Sequence, residues 1–129
     1  MPFNDAAQAY ARMLANFLST GRPGLFFGNL GRFERNVNAI QSGIWKLHIR
    51  LTDEGGWPPS QKQSERKSNN FLIYAQHWDC RDHYQILAVL SPDAHEKVDK
   101  LLPSLISSVE KEFHSLSERE LKSLLHVSA

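Results

Sequence analysis

Trp45-Lys46-Leu47-His48-Ile49-Arg50-Leu51 alternates without a break: every odd position is apolar and every even one carries a basic or imidazole side chain. A repeat of two puts successive side chains on opposite faces, so this stretch predicts a β-strand with one face turned to a core. Lys46, His48 and Arg50 then stand in a row on the other face. Working outward, Gly55-Gly56-Trp57-Pro58-Pro59 ends the strand, and the polar run from Ser60 to Asn70 predicts an exposed loop. Two short apolar runs follow, Phe71 to Ala75 and Tyr84 to Leu90, joined by the turn-like stretch from His77 to His83. They predict a hairpin pairing beside the first strand.

Upstream, Ala6, Ala9, Tyr10, Met13, Leu14, Phe17 and Leu18 recur at helical spacing between an Asn4/Asp5 cap and a Gly21 stop. Arg22 to Gly31 is glycine-punctuated and aromatic, which predicts a loop whose phenylalanines plug the core, with a short helix after it through Arg32, Phe33 and Val37. Downstream, Ser91-Pro92 predicts a helix start, Pro103 a break or kink, and Leu105 to Phe113 a resumed helix. The capping box Ser117-x-x-Glu120 opens a last helix with Leu121, Leu124 and Leu125. Helices, strands and helices in that order give an α+β fold: an antiparallel sheet of three to four strands with helices packed on one face.

At 129 residues, 41% apolar and 22% charged, residues 1–129 form one domain with one core, and residues 116–129 could be an extra C-terminal helix. No apolar run is long enough for a membrane span and the start lacks an export pattern, so a cytoplasmic protein is expected. The lone Cys80 makes no internal disulfide. Formal charge is +1, but Arg12, Arg22, Arg32, Arg35, Lys46 and Arg50 face only Glu34 across that stretch. Such asymmetry suggests a basic face for a polyanion, against the plainer reading of arginines that merely solubilise a helix and loop.

A sheet covered on one side leaves the other for a ligand, and lysine, histidine and arginine in a row suit phosphate. Cleavage of RNA without a metal needs a base for the 2′-hydroxyl proton, cations for the phosphorane and an acid for the leaving 5′-oxygen. The plainer alternative for Lys46, His48 and Arg50 is a solvated strand face. Lys62, Arg66 and Lys67, amid Gln61, Gln63 and Asn69, can contact phosphate and bases, although a solvated loop is the plainer reading of them too. Tyr74 and Gln76 share a side of the second strand, where a tyrosine can stack on a base or fill a core. His77, His83 and Cys80 fit no zinc spacing, and no phosphate loop or nucleotide fingerprint occurs, so neither a metal nor a cofactor is expected.

From Leu25 onward the chain resembles the YafO family of bacterial toxins. The residues that carry the likeness are Phe27-Gly28, Leu47-His48-Ile49-x-Leu51, Trp57-Pro58-Pro59, Gln63, Arg66, Leu72-Ile73-Tyr74-x-Gln76 and Ile86-Leu87-Ala88-Val89-Leu90-x-Pro92-x-x-His95, with Phe113 beyond them. The resemblance implies a RelE-like fold and an endoribonuclease that cuts messenger RNA on the ribosome, held silent by a cognate antitoxin protein. Carried over residue by residue it raises His48, Gln63, Arg66, Tyr74, Gln76 and His95. His48 or Tyr74 is then expected as general base or acid and Arg66 as phosphate clamp. Lys46, Arg50, Lys62, Gln63, Gln76 and His95 are expected to bind RNA. This reading requires His48, Arg66 and Tyr74 to converge in one pocket. The alternatives are an RNA-binding or regulatory domain of the same fold without activity, and a protein dimerised through Leu121, Leu124 and Leu125. The family begins with a strand where this chain opens with a helix, so an edge strand is either missing or drawn from elsewhere.

Overall fold

The computed structural model describes residues 2–124, with side chains from residue 7 onward. The elements in order are α1 (Pro2–Thr20), β1 (Phe27–Arg32), α2 (Val37–Gln41), β2 (Ile44–Ile49), a 3-10 turn (Gln63–Glu65), β3 (Phe71–Gln76), β4 (Tyr84–Leu90), α3 (Ala94–Glu112) and α4 (Glu118–Ser123). The strands form one antiparallel sheet in the order β1-β2-β3-β4. The expected α+β class therefore holds, with four strands.

The fourth strand comes from the stretch read as a loop. Phe27 pairs with Ile49 and Leu30 with Leu47, so β1 spends one more residue than β2 over the same span. This bulge takes up Gly28 and Asn29, and the Asn29 N–H turns outward to the Arg66 carbonyl at 2.9 Å. No side chain fits at Gly28. A Cβ there would run into the backbone and side chain of Arg66 and touch Trp57. Glycine is required because a second backbone passes over β1, not because the chain turns.

Helices occupy both faces of the sheet, where one had been expected. Phe71, Ile73 and Ala75 of β3 pack with Val98, Leu102 and Val109 of α3, while Leu72 and Tyr74 pack with Tyr10, Leu14 and Phe17 of α1. A central strand buried on both sides reads as an unbroken apolar run, which is how Phe71 to Ala75 reads. Cap and stop signals behave unevenly. Gly21, at φ +72°, ends α1 as expected, with its N–H on the Phe17 carbonyl. The helix itself begins upstream of Asn4 and Asp5, whose side chains lie outside the described residues. α3 starts at Ala94, past Ser91-Pro92, and continues through Pro103. The buried row Ala94, Val98, Leu102 and Val109 holds it on the sheet while Pro103 faces solvent. The Ser117/Glu120 box caps α4 reciprocally, and Leu121 is buried in the core, not free for a dimer. Leu125 lies outside the described residues.

Behind the sheet, His114 joins α3 to the α2–β2 turn. Its Nε2 donates to the Ser42 carbonyl at 2.6 Å and its Nδ1 accepts the Trp78 N–H at 3.2 Å. Trp78 stacks flat on the ring, 4.1 Å between centroids. The Trp78 contact needs a neutral imidazole, because a protonated Nδ1 cannot accept. Burial is the main cause that lowers the His114 pKa; the Ser42 bond opposes it and His77 adds to it. Since the folded group takes its proton at lower pH than an unfolded histidine near 6.5, its stabilising effect is complete above that value and is lost as pH falls below it. Melting temperature is thus expected to stay level from pH 8 to 7 and decline towards pH 5, more gently in His114→Asn. An equal decline in that variant would rule this histidine out as the cause.

Candidate functional site

The cleft that holds the basic groups opens on the α3 side of the sheet, beyond the first turn of that helix. Its volume is about 530 Å³, and Asn29, Lys46, His48, Lys67, Ser68, Asn69 and His95 line it. They arrive from four segments of the chain, each for a local reason. The β1 bulge brings Asn29. The β2 alternation brings Lys46 and His48 to the face that also carries Phe71, with which His48 is in register. The loop before β3 brings Lys67, Ser68 and Asn69, and its Asn69 carbonyl accepts the Ala94 N–H at 3.0 Å. That bond fixes the start of α3, so His95 is held over the cleft.

The two imidazoles stand 5.9 Å apart between centroids, and both meet the Phe71 ring edge-on, at 4.8 Å for His48 and 4.6 Å for His95. The Lys46 ammonium lies over the rings of Phe33 and Phe71. His48 is buried, whereas His95 and Lys67 are exposed. Among the lining side chains there is no carboxylate. His48 Nδ1 lies 2.8 Å from the Ser68 amide nitrogen and 3.0 Å from the Ser68 carbonyl. When that N–H donates to Nδ1, Nε2 carries the proton; when Nδ1–H donates to the carbonyl, Nε2 presents a lone pair. The backbone of one residue, Ser68, thus supports either tautomer of the ring. Burial lowers the His48 pKa; the Ser68 backbone bond opposes this, and His95, Lys46 and Lys67 add to the lowering.

The expected convergence of an imidazole, a guanidinium and a phenol does not occur. Arg66 is 3% exposed and its guanidinium is consumed by four backbone carbonyls: Gln61 at 3.0 Å, Gly24 at 2.7 Å, Phe27 at 3.0 Å and Pro58 at 3.4 Å. It ties the loop to β1 and does not line the cleft. Tyr74 faces the opposite side of the sheet, 2% exposed in the α1 core beside Tyr84. Burial, and then Tyr84, raise its pKa, so it has neither the access nor the acidity for proton transfer.

The remaining expected RNA contacts divide. Lys46 and His95 line the cleft. Gln63 Nε2 donates to the Gly28 carbonyl at 2.9 Å, which makes it part of the loop's attachment. Gln76 sits at the far end of β3, bonded to the Arg81 carbonyl and the Tyr84 hydroxyl. The Arg50 guanidinium lies over Trp57, 5.1 Å from the ring, and Lys62 is exposed before the 3-10 turn; neither lines the cleft. Asn29 and Ser68 are added, and Lys67 and Asn69 move from the loop into the lining of the cleft.

The model of the family described as Toxin YafO, type II toxin-antitoxin system, matches residues 15–115. The chain belongs to the YafO toxin family. No curated protein and no solved structure matches it. As a type II toxin it has a cognate antitoxin for a partner, and YafO toxins are known as mRNA interferases. The match starts inside α1 and ends just after α3, so it spans all four strands and every residue lining the cleft. The place of this toxin's family-like residues is now clear in physical terms. Gly28, Trp57, Gln63 and Arg66 lock the loop onto β1, while His48 and His95 face the cleft that the locked loop completes. Among the described residues no helix is long and apolar enough to cross a membrane.

Proposed function

We propose that this toxin is a ribosome-dependent endoribonuclease of the cytoplasm that cuts messenger RNA in the cleft of His48 and His95, using its own side chains. What carries the reading is one arrangement: two imidazoles 5.9 Å apart, flanked by Lys46 and Lys67, in a cleft without a carboxylate. The pair takes the acid and base roles that Tyr74 cannot fill, and the two lysines take the clamp role that Arg66 cannot fill.

In the proposed reaction the ribose 2′-oxygen attacks the adjacent phosphorus and the bond to the 5′-oxygen breaks. His48, kept neutral by burial, takes the 2′-hydroxyl proton at Nε2, with Nδ1–H held by the Ser68 carbonyl. His95 gives a proton to the leaving 5′-oxygen. The ammonium groups of Lys46 and Lys67 face the phosphorane charge, and the positive end of α3 adds to their field. Asn29 and Asn69 supply neutral donors and acceptors for the ribose or a base.

The test pairs cutting with binding. Purified toxin is expected to cleave a message loaded on ribosomes, and to bind single-stranded RNA with an affinity that falls as salt rises. Removing both lysines, Lys46→Ala with Lys67→Ala, should flatten that salt dependence by roughly 0.7 logarithmic units for each phosphate no longer neutralised. A wild type that occupies the ribosome and leaves the message whole would sink the enzyme reading in favour of a non-catalytic RNA-binding domain. An unchanged salt slope would remove the lysines from the RNA path.

A further inference from the structure

The larger cavity of the molecule lies away from the cleft, along the outer edge of β4. It measures about 1070 Å³. Its floor is the strand itself, residues 84–89, and it has two walls: Ala11, Ala15 and Leu18 of α1 on one side, and Phe113, Leu121 and Leu124 on the other. β4 ends the sheet, and among the described residues no strand lies beyond it. Its seven residues, at about 3.4 Å each, expose roughly 24 Å of edge. That edge carries Ile86, Leu87, Ala88 and Val89 in succession, all half-buried, with no charge and no proline. Soluble proteins normally blunt such an edge with charge, proline or a cover. Here none of those devices is present among the described residues.

The surroundings dictate what fits. An open strand edge offers alternating N–H and C=O groups, which only another extended backbone can satisfy along its length. Because the edge is walled by apolar groups on both sides, the incoming strand must be apolar on both of its faces. Among the described lining residues Arg81 and Asp82 alone carry a fixed charge, and both precede the start of β4, so charge on the partner belongs at that end.

We propose that the β4 edge and its two walls receive an extended, apolar segment of the cognate antitoxin, which joins the sheet as a fifth strand. The proposal rests on family membership and on the groove, not on the nuclease reading. It also leaves the His48 cleft uncovered by this segment, so the segment anchors the antitoxin without itself blocking the site.

The probe is the small protein, encoded beside this chain's gene, that restores growth to cells expressing the toxin. In its purified complex with the full chain, amide hydrogen exchange is expected to slow across Tyr84–Leu90. Leu124→Glu, a half-exposed position outside the cleft, and Ala11→Arg on the opposite wall should each weaken the complex at least 100-fold. Leu124→Glu should remain toxic and escape neutralisation, whereas His48→Ala should bind the antitoxin as the wild type does. Wild-type affinity in both wall variants would overturn the proposal. So would protection confined to Asn29, His48 and His95, or β4 protection arising from self-association of the toxin alone. If the wild type proves inactive on messenger RNA, the binding and exchange results still decide the docking site separately.

Discussion

His48→Ala is expected to lower cleavage of ribosome-bound message by about 10²- to 10⁴-fold, the range that loss of a positioned proton-transfer group produces. His48 is the only cleft residue that combines burial, a ring nitrogen anchored on a peptide and a pKa lowered below the ordinary histidine value. A base must be neutral to act. Its lowered pKa therefore places the acid limb of the rate profile below pH 6.5, with activity falling as pH drops through it. Removing Lys46 or Lys67 deletes a positive neighbour that helps lower that pKa, so the limb should move up towards 6.5 even as the rate falls. A merely structural histidine would move no such limb. His48→Gln retains a polar partner for Ser68 and separates the two roles: normal melting with lost cutting supports catalysis. His95→Ala should fall in the same range, and the double variant should cost less than the product of the two, as in groups that act together. Tyr74→Phe should stay within a few-fold of the wild type. Wild-type cutting by folded His48→Ala would end the assignment.

The strand expected over Trp45 to Leu51 was legible because alternation is a local property, and it correctly put Lys46 and His48 on one face, although the strand runs Ile44–Ile49 and leaves Arg50 and Leu51 beyond its end. The hairpin, the α4 capping box and the Gly21 stop were legible for the same reason. What escaped was every feature decided by distant contacts. β1 looked like a loop because it holds two glycines, and one of them, Gly28, is there for the Arg66 backbone, a neighbour far along the chain. The covering of both faces was encoded in the unbroken run Phe71 to Ala75, which was read only as β-forming. That oversight displaced Tyr74: with one face taken as open, a tyrosine on it appeared available. Asn29 and Ser68 carried no signal at all, since a bulge and a loop peptide acquire their roles only when the sheet assembles. Residue type also misled. A guanidinium among polar neighbours suggests phosphate, yet backbone carbonyls satisfy its fork of donors equally well.

Arg66→Ala is expected to destabilise the fold by several kcal/mol, at about 1–3 kcal/mol for a buried carbonyl left without its partner. Its guanidinium binds carbonyls from Gly24 and Phe27 on one stretch of chain and from Pro58 and Gln61 on another. Removing it leaves those carbonyls facing a cavity, and the same loop carries Lys67, Ser68 and Asn69 into the cleft. Arg66→Lys should recover only part of the loss, because an ammonium has three donors at one point and cannot span four acceptors spread around a planar fork. The discriminating measurement is urea unfolding set beside message cleavage and RNA affinity. A phosphate clamp predicts intact stability with weakened RNA binding. A staple predicts a lowered unfolding midpoint, with cleavage lost in proportion to the loop's release and largely restored at low temperature, where the weakened loop is again in place. Intact stability in Arg66→Ala would return the guanidinium to the reaction and require the loop to open before RNA enters.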